Sequence, residues 1–395
     1  DYEHPSLTMQ PSYEGATLEV LASLVEQGRV YRALKPVHWS IANETALAEA
    51  ELEYEDREDL SVYVDFEAMD AKAVYDAFGH GLKTPKALRS FLSRLAEDER
   101  TRPRWVLLAG AGDFDFKGRY GLGGNELPPL MVSTAAGLLA SDNALVDLDD
   151  DGAPDLTVGR LPVRSRQELD AYLEKVIAYE RPASPGQPER ALLLSDNREG
   201  GIDFAADAQS LVPAFPSGWS PERHSVGAAP LDAVRAGLLA SFRSGAGAVV
   251  YFGHGGFDRL AAEGLLTSAD LPSLSTPTYP VLAGLACFIG RFDIPGHTSL
   301  GQRLVVTEGR GSAAVWAGAG WSDPVEASAL ARDFGRIAFT NRSATLGDAI
   351  RGAIDAHRAR GGTAETMLTY VLLGDPALTL RAPGEPPASD SEGTR

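Results

Sequence analysis

Apolar and polar positions follow a pattern along most of the chain that predicts strands separated by helices. Short apolar runs typical of buried strands occur at 60–66, 104–109, 190–195, 248–252, 280–287 and 313–317. Between them, apolar residues recur every three or four positions, which predicts helices over 85–95, 166–181, 203–212, 231–241, 299–308, 326–339 and 345–360. Strands that alternate with helices are typical of mainly parallel sheets with helices packed against them, so the predicted fold class is α/β.

Composition divides this pattern into segments. The N-terminal segment, 1–59, contains a helix-like stretch and an acidic patch, and it is assigned to neither half of the α/β pattern. We predict a first α/β subdomain over 60–181, a Pro-rich linker over 182–189 and a second α/β subdomain over 190–381. The Pro-, Ser- and Glu-rich residues 382–395 are expected to be disordered.

The overall composition narrows the class of protein. Of 395 residues, 44% are hydrophobic and 23% are charged, which is typical of a globular protein. No apolar run approaches the ~20 residues of a membrane-spanning helix, so no membrane span is predicted. A formal net charge of −19 disfavours nucleic acid and anionic lipid as partners, because both bind basic surfaces.

Two predicted strands in the second half end in chemically reactive side chains. The stretch AVVYFGHGGFD places His254 between two glycines, and PVLAGLACFIGRF ends its strand at Cys287, the single cysteine of the chain. If the strands are parallel neighbours, imidazole and thiol lie at the same sheet edge. The imidazole could then take the thiol proton, and the N–H groups of Gly255 and Cys287 could bind an oxyanion. From these residues alone, a turn histidine and a buried core cysteine remain an equal alternative.

Several ordered motifs resemble the gingipain family of cysteine peptidases, which have the caspase-like fold. They are GHG followed 33 residues later by Cys287 and IGRF, and four longer stretches: YDAFGHGLKTPKALRSFL at 75–92, VLLAGAGDFDFKG at 106–118, DLDDDGAPDLTVGRLPVRSRQEL at 147–169 and LLGDPALTL at 372–380. The resemblance covers roughly residues 60–380. It implies two side-by-side α/β subdomains with mainly parallel central sheets flanked by helices. It also implies a cysteine endopeptidase that acts on protein or peptide substrates through an acyl-enzyme and is secreted or held at the cell surface.

The resemblance assigns roles to residues of this chain. His254 matches the catalytic histidine, Cys287 the nucleophile and Gly255 the glycine of the oxyanion hole. The carboxylate that orients the histidine follows the first strand of the second subdomain, where Asp196 is the first choice and Glu199 the second. Asp196 could equally be a turn or cap aspartate.

Family members that cleave after Arg or Lys have a carboxylate in the first substrate pocket. By position, Asp203 is the favoured counterpart, with Asp207 one turn further along, and a helix N-cap is the alternative role for Asp203. Trp321 could form a wall of the pocket, and Asp323 is a rival acidic floor. A carboxylate there would favour a guanidinium, which it can hold with two hydrogen bonds.

An acidic loop precedes the predicted helix at 166–181. Asp147, Asp149 and Asp151 with Gly152 form D-x-D-x-D-G, a set of hard oxygen ligands suited to structural Ca²⁺, which Asp155 or Asp142 could complete. The loop is not an EF-hand, because the twelfth position lacks the required glutamate. A solvated acidic turn is the alternative.

Two other functions also fit the sequence. One is a catalytically silent caspase-like binding module that calcium stabilises. The other is a caspase-like protease of a defence system that a partner activates. Neither requires a pocket that is open in the isolated chain.

Overall fold

The computed structural model describes residues 11–27, 39–40, 45–46, 68–122, 124–180, 190–215, 219, 221–340 and 344–379. The predicted strand at 60–66, the linker at 182–189 and the tail at 382–395 lie outside these described residues. The chain forms two compact units, 1–67 and 68–395. In the first, helix α1 spans Pro11–Glu26, and strands β1 (Trp39–Ser40) and β2 (Thr45–Ala46) pair antiparallel.

The second unit begins with helices α2 and α3 and continues with alternating strands and helices. Its first half contains α2 (Ala71–Gly79), α3 (Pro85–Ala96), β3 (Trp105–Ala109), β4 (Leu130–Thr134), β5 (Gly137–Ser141), β6 (Thr157–Leu161) and α4 (Arg166–Glu180). Next come β7 (Ala191–Ser195), α5 (Phe204–Leu211), β8 (Glu222–Ser225), α6 (Leu231–Ser244), β9 (Ala248–Phe252), β10 (Arg259–Leu260), β11 (Leu266–Thr267) and β12 (Val281–Leu285). The last elements are α7 (Leu300–Val306), β13 (Ala314–Gly318), α8 (Pro324–Ala338), α9 (Leu346–Ala359), α10 (Ala364–Thr369) and β14 (Tyr370–Leu373).

One eight-stranded sheet runs through the second unit in the order β3-β6-β14-β13-β12-β9-β7-β8. All neighbours in it are parallel except β13 and β14, which pair antiparallel. The three strands β3, β6 and β14 therefore run opposite to the other five. The predicted α/β class with a mainly parallel sheet flanked by helices is confirmed. The two expected sheets are joined through β14 into one, and the subdomain boundaries stay predictions.

Burial explains why the central strands have continuous apolar sequences. Every residue of β7, β9, β12 and β13 is buried, because helices cover both faces of these strands. The same expectation was wrong for β3. Among the strands that the structure describes, β3 lies at one edge of the sheet; its burial alternates, and Leu107 is exposed.

Residues 110–160 are rich in Gly, Asp and Pro, which predicts one long loop, and the structure corrects this prediction. The segment contains the antiparallel hairpin β4–β5 and most of β6. Its strands are only five residues long and are separated by turns rich in Gly, Asp and Pro. Because the turn residues outnumber the strand residues, the composition of the whole segment resembles that of a loop. No described helix has the length and apolar character needed to cross a membrane.

A buried ion pair between Arg160 and Asp142 lies at β6, which pairs with β14. The guanidinium of Arg160, on β6, donates from Nε and Nη2 to the two carboxylate oxygens of Asp142, each at 2.6 Å. Its Nη1 donates to the carbonyls of Gly110 and Leu127. The ring of Phe292, in the loop after β12, lies 4.7 Å from the guanidinium carbon. This fully buried cation therefore supports the loop that carries the cysteine.

Candidate active site

Two adjacent strands deliver the thiol and the imidazole to one edge of the sheet. Strands β9 and β12 are parallel neighbours, and Phe252 pairs with Leu285. His254 and Cys287 each follow that pair by two residues, so their backbones leave the sheet at the same level. A Cβ placed on Gly255 would lie 2.4 Å from the carbonyl oxygen of Cys287. The two strand ends are therefore in van der Waals contact, and this contact requires glycine.

The thiol of Cys287 is half-buried, and its polar contacts in the described part of the chain are both with the backbone of Ser322. The N–H of Ser322 donates to Sγ at 3.3 Å, and the thiol in turn lies 4.0 Å from the Ser322 carbonyl oxygen, which can accept from it. Burial raises the pKa of the thiol, while the N–H opposes the rise. A raised pKa favours the protonated thiol, so a base is needed to activate it.

The turn after Cys287 has an unusual backbone. Phe288 has φ of 61°, a conformation that a bulky residue rarely adopts. Its N–H donates to the carbonyl of Gly320 at 3.0 Å, and the N–H of Gly290 donates to that of Gly318 at 3.0 Å. These bonds fasten the turn to the end of β13 and hold the strained residue in place.

The backbone and the ring of His254 are held differently. Its N–H donates to Oδ2 of Asp196 at 3.0 Å, and its carbonyl accepts from the hydroxyl of Tyr251 at 2.7 Å. The side chain is 47% exposed, and its Nε2 lies 3.2 Å from Oε2 of Glu199. Phe204 meets the ring edge-on, with centroids 5.4 Å apart.

The orienting contact to the imidazole is made by the second choice and not by the first. Asp196 is 1% exposed and binds the N–H groups of His254 and Asn197. Burial raises its pKa, which these N–H groups partly offset. The strand leaves Asp196 pointing back into the sheet end, whereas Glu199 lies on the following loop and reaches the ring. The orienting role stays a prediction, and of the two candidates it is Glu199 whose carboxylate contacts the ring.

The groups expected to form an oxyanion hole are available. In the part of the chain that the structure describes, the N–H groups of Gly255 and Cys287 donate to no other residue. Both belong to the touching strand ends. Their role in binding an oxyanion stays a prediction.

Both carboxylates expected in the substrate pocket cap helices. Oδ1 of Asp203 accepts from the N–H of Ala206 and caps α5. Oδ1 of Asp323 accepts from the N–H groups of the first turn of α8. Asp207 accepts from the hydroxyl of Ser328 and so faces α8. Trp321 is 62% exposed and meets the ring of Phe288 edge-on at 5.7 Å, next to the nucleophile turn.

Three of the predicted metal ligands come together. Carboxylate oxygens of Asp147, Asp149 and Asp151 lie within 4.8 Å of one another. Asp155 is not among them, because its carboxylate accepts from the N–H of Leu148, and Asp142 is held by the buried arginine. Burial raises the pKa of Asp147, as expected for a carboxylate gathered with others.

These three carboxylates fit a hard cation, although they also have protein partners. Asp147 accepts from the N–H groups of Asp151 and Gly152, and Asp151 pairs with the guanidinium of Arg358. Oxygen-only ligands suit Ca²⁺ or Mg²⁺. A cation would compete with Arg358 for Asp151.

Sequence reasoning missed the role of Ser322, which lies 35 residues after the cysteine. It follows β13, the parallel neighbour of β12 on the side away from the histidine. The sequence predicts the strand at 313–317 that became β13, so the position of its end at this edge of the sheet could have indicated a residue close to Cys287.

Comparison with known proteins identifies the family. The family model for peptidase family C25 matches residues 41–381. The chain belongs to peptidase family C25. As a member, it is a cysteine-type endopeptidase, and its substrates are proteins.

Solved structures agree with this fold. The mature and pro-domain complex of RgpB from Porphyromonas gingivalis superposes with a TM-score of 0.65 at 16% identity and covers 78% of this chain and 72% of that one. A crystal structure of the Arg-specific cysteine proteinase gingipain R (RgpB) gives a TM-score of 0.64 at 17% identity over 79% of this chain and 76% of that one. At these identities the likeness shows the fold, and the expected gingipain-like, caspase-like fold is confirmed.

A second kind of match is short. A stretch of 76 residues is 45% identical to isoleucine–tRNA ligase of Enterococcus faecalis and covers 19% of this chain and 8% of the ligase. The ligase of Kosmotoga olearia is 54% identical over 67 residues, 17% of this chain and 7% of the ligase. The chain thus spans less than a tenth of the length of these curated relatives. A match of this extent does not bring the ligase activity with it.

Proposed function

We propose that this family C25 endopeptidase cleaves peptide bonds with a dyad of Cys287 and His254. The observation that carries the proposal is the register of β9 and β12, which gives both residues the same offset beyond a paired position. The contact of Gly255 with the Cys287 carbonyl supports it, because it brings the two strand ends together. A base on one strand end can then serve a nucleophile on the other.

The proposed reaction has two stages, formation of an acyl-enzyme on Cys287 and its hydrolysis by water. The imidazole of His254 takes the thiol proton, and the thiolate of Cys287 attacks the scissile carbonyl carbon. The carbonyl π electrons move to the oxygen, which accepts hydrogen bonds from the N–H groups of Gly255 and Cys287. The C–N bond then breaks, and the imidazolium returns its proton to the leaving amine. Water then attacks the thioester carbon while the imidazole takes a proton from it. The C–S bond breaks, the carboxylic acid product leaves, and the imidazolium returns its proton to the sulfur.

The test uses Cys287→Ala and Cys287→Ser on a labelled protein substrate. We expect both variants to keep the wild-type melting temperature and to lose roughly ten-thousandfold in turnover. Cleavage by Cys287→Ala at the wild-type rate would exclude the dyad. A wild-type chain that neither cleaves nor reacts with iodoacetamide at neutral pH would instead favour the silent binding module.

We also propose that the enzyme cleaves after Arg or Lys and that Asp203 supplies the charge. The exposed Trp321 beside the nucleophile turn and the negative net charge support a basic substrate. One structural neighbour is named an Arg-specific proteinase. The cap hydrogen bond of Asp203 uses Oδ1, which leaves Oδ2 for a guanidinium.

Asparagine variants separate the charge from the cap. Because asparagine caps helices as well as aspartate, Asp203→Asn and Asp323→Asn keep the helix ends and remove one charge each. We expect Asp203→Asn to lower kcat/KM about tenfold to a hundredfold for Arg and Lys peptides, and to leave uncharged peptides unchanged. The same loss in Asp323→Asn alone would assign the pocket to Asp323. No selective loss in either variant would contradict this specificity.

We further propose that Asp147, Asp149 and Asp151 hold a structural Ca²⁺. Saturating calcium stabilises a folded protein by about 2.7 kcal/mol at ~100 times its Kd. We therefore expect calcium to raise, and EDTA to lower, the melting temperature by several degrees. The gain should shrink as the pH falls, because burial raises the pKa of Asp147 and this ligand therefore takes up a proton at a higher pH than an ordinary aspartate does.

The control for calcium is an exposed aspartate outside the cluster. Asp149→Asn should abolish the calcium effect, and Asp170→Asn on α4 should retain it. A melt that ignores calcium and EDTA in the wild type would favour the plain acidic turn. If calcium binds only at about 10⁻⁴ to 10⁻³ M, as in extracellular modules, a secreted or cell-surface location follows. Detection of the native protein in the cytosolic fraction alone would oppose that location.

A further inference from the structure

The sulfur of Cys287 has a protein contact on the side away from the histidine strand. It accepts a hydrogen bond from the backbone N–H of Ser322 at 3.3 Å. Ser322 lies just after β13, the strand on the other side of β12. Its hydroxyl is hydrogen-bonded to the hydroxyl of Tyr370, which is 1% exposed and begins β14. A chain of two hydrogen bonds therefore runs from the sulfur to the strand that joins the two parts of the sheet.

The segment that carries this N–H is fixed from both sides. On one side, the carbonyl of Gly320 accepts from the N–H of Phe288 in the nucleophile turn. On the other, the N–H of Ala319 donates to the carbonyl of Thr369 at 2.8 Å. Neither bond sets the direction of the Ser322 peptide. The contact with Tyr370 acts on residue 322 itself, because it is the polar contact of the Ser322 side chain in the described part of the chain and ties that side chain to β14.

We propose that Ser322 is a positioning residue for the nucleophile, with its N–H holding Sγ of Cys287 and its hydroxyl locked by Tyr370. The proposal rests on the proposed role of Cys287 as the nucleophile. An N–H that points at sulfur stabilises the thiolate more than the neutral thiol. The N–H contact at 3.3 Å therefore favours the thiolate, whereas the Ser322 carbonyl, at 4.0 Å, is the weaker contact and can accept only from the neutral thiol. Both contacts hold the sulfur on the Ser322 side and bring no charged group to it.

The ionisable groups around the Tyr370 hydroxyl are the thiol of Cys287 and the carboxylates of Asp323 and Glu326 at the start of α8. His254 follows β9, the neighbour of β12, and the guanidinium of Arg291 lies over the ring of Phe288. Burial raises the pKa of Tyr370 far above neutrality, so its hydroxyl stays uncharged. Replacing Tyr370 by phenylalanine thus removes a hydrogen bond and changes no charge.

The thiol can be followed without a substrate, because the chain has one cysteine. The experiment measures the rate of iodoacetamide alkylation of the full-length protein from pH 5 to pH 10 in wild type, Ser322→Ala, Ser322→Thr and Tyr370→Phe. Tyr172→Phe is the matched control: it removes a buried hydroxyl that accepts from the N–H of Asp375, away from the sulfur. Melting temperatures verify that each variant is folded.

We expect Ser322→Ala and Tyr370→Phe to move the midpoint of the profile up by about half to one pH unit. At pH 7 this slows alkylation about threefold to tenfold, and above both midpoints the rates converge with wild type. Ser322→Thr, which retains a hydroxyl, and Tyr172→Phe should follow the wild-type profile. The double variant should shift no more than either single one, because both act through one contact.

Either of two results would overturn the proposal. One is a wild-type midpoint in Ser322→Ala or Tyr370→Phe. The other is an equal shift in Tyr172→Phe, which would indicate general loosening. The readout does not depend on cleavage, so a chain that proved not to cleave would still show or fail to show the shift.

Discussion

The strand ends that carry Cys287 and His254 are built in opposite ways. The cysteine turn is fixed at its backbone and at its reactive atom, through Phe288, Gly290 and the Ser322 N–H. The histidine backbone is fixed by the buried Asp196 and by Tyr251, while its ring is 47% exposed and contacts the edge of Phe204 and the exposed carboxylate of Glu199 among the described residues. The reactive atom of the nucleophile is thus held by the backbone, and the ring of the base is held by side chains.

This difference suggests a division of labour. A thiol with a raised pKa gains from being presented in one position, because its reactivity depends on geometry and on a nearby donor. A base that must first face the thiol and later the leaving amine gains from rotational freedom. Substitutions of His254, Asp196 and Glu199 test this difference between the histidine and the cysteine.

The largest effect is expected from the ring itself. Replacing His254 by alanine removes the base, and we expect turnover to fall about a hundredfold to ten-thousandfold. Melting temperature should change little, since the ring is half exposed. Peptide hydrolysis and a thermal melt measure the two quantities, and added imidazole should restore part of the activity. A variant with unimpaired turnover would show that the imidazole is not the base.

The next effect concerns the backbone under the histidine. In Asp196→Asn, an amide N–H₂ replaces an oxygen that accepts from a buried N–H, so one donor loses its partner. We expect the free energy of unfolding to fall by about 1–3 kcal/mol, measured by urea titration. The exposed control Asp170→Asn should change it by less than ~0.5 kcal/mol. Unchanged stability in Asp196→Asn would mean that the histidine backbone is not held as described.

The smallest effect is expected at the contact with the ring. Glu199 is 67% exposed, and exposed ion pairs contribute only about 0.2–1 kcal/mol. Glu199→Gln should therefore lower kcat/KM about twofold to fivefold and leave stability unchanged. A loss above about a hundredfold would indicate that the loop carrying Glu199 closes over the ring when substrate binds. The imidazole of His254 would then be held as firmly as the thiol of Cys287.

Local patterns predicted the elements well where packing follows from sequence. The strand at 248–252 and the helix after Thr84 agree with the structure to within one residue, because caps and apolar runs act locally. The sequence did not reveal the joining of the two sheets by β14. That pairing brings Asn143 and Tyr370 into contact across 227 residues, and no local pattern encodes it.

The candidate site shows the same limit at the scale of side chains. Strand order brought Cys287 and His254 to one edge, as the parallel pattern predicts. Which of Asp196 and Glu199 reaches the imidazole depends on the direction of one side chain after the strand ends, which the residue types do not determine. Asp203 and Asp323 could be assigned as caps from their positions before helices, but whether a capping carboxylate also faces a substrate depends on tertiary placement.

The antiparallel contact of β13 with β14 has a consequence for how the molecule reaches its native state. Strand β14 is the latest in the sheet along the chain, yet it occupies the middle, between strands that precede it. Contacts over such long separations close slowly. Five strands could assemble early around the cysteine, but Tyr370 would arrive last. Molecules in which β14 has not yet paired would lack the contact between Tyr370 and Ser322, so the surroundings of the Cys287 thiol would be completed only in the last step of folding.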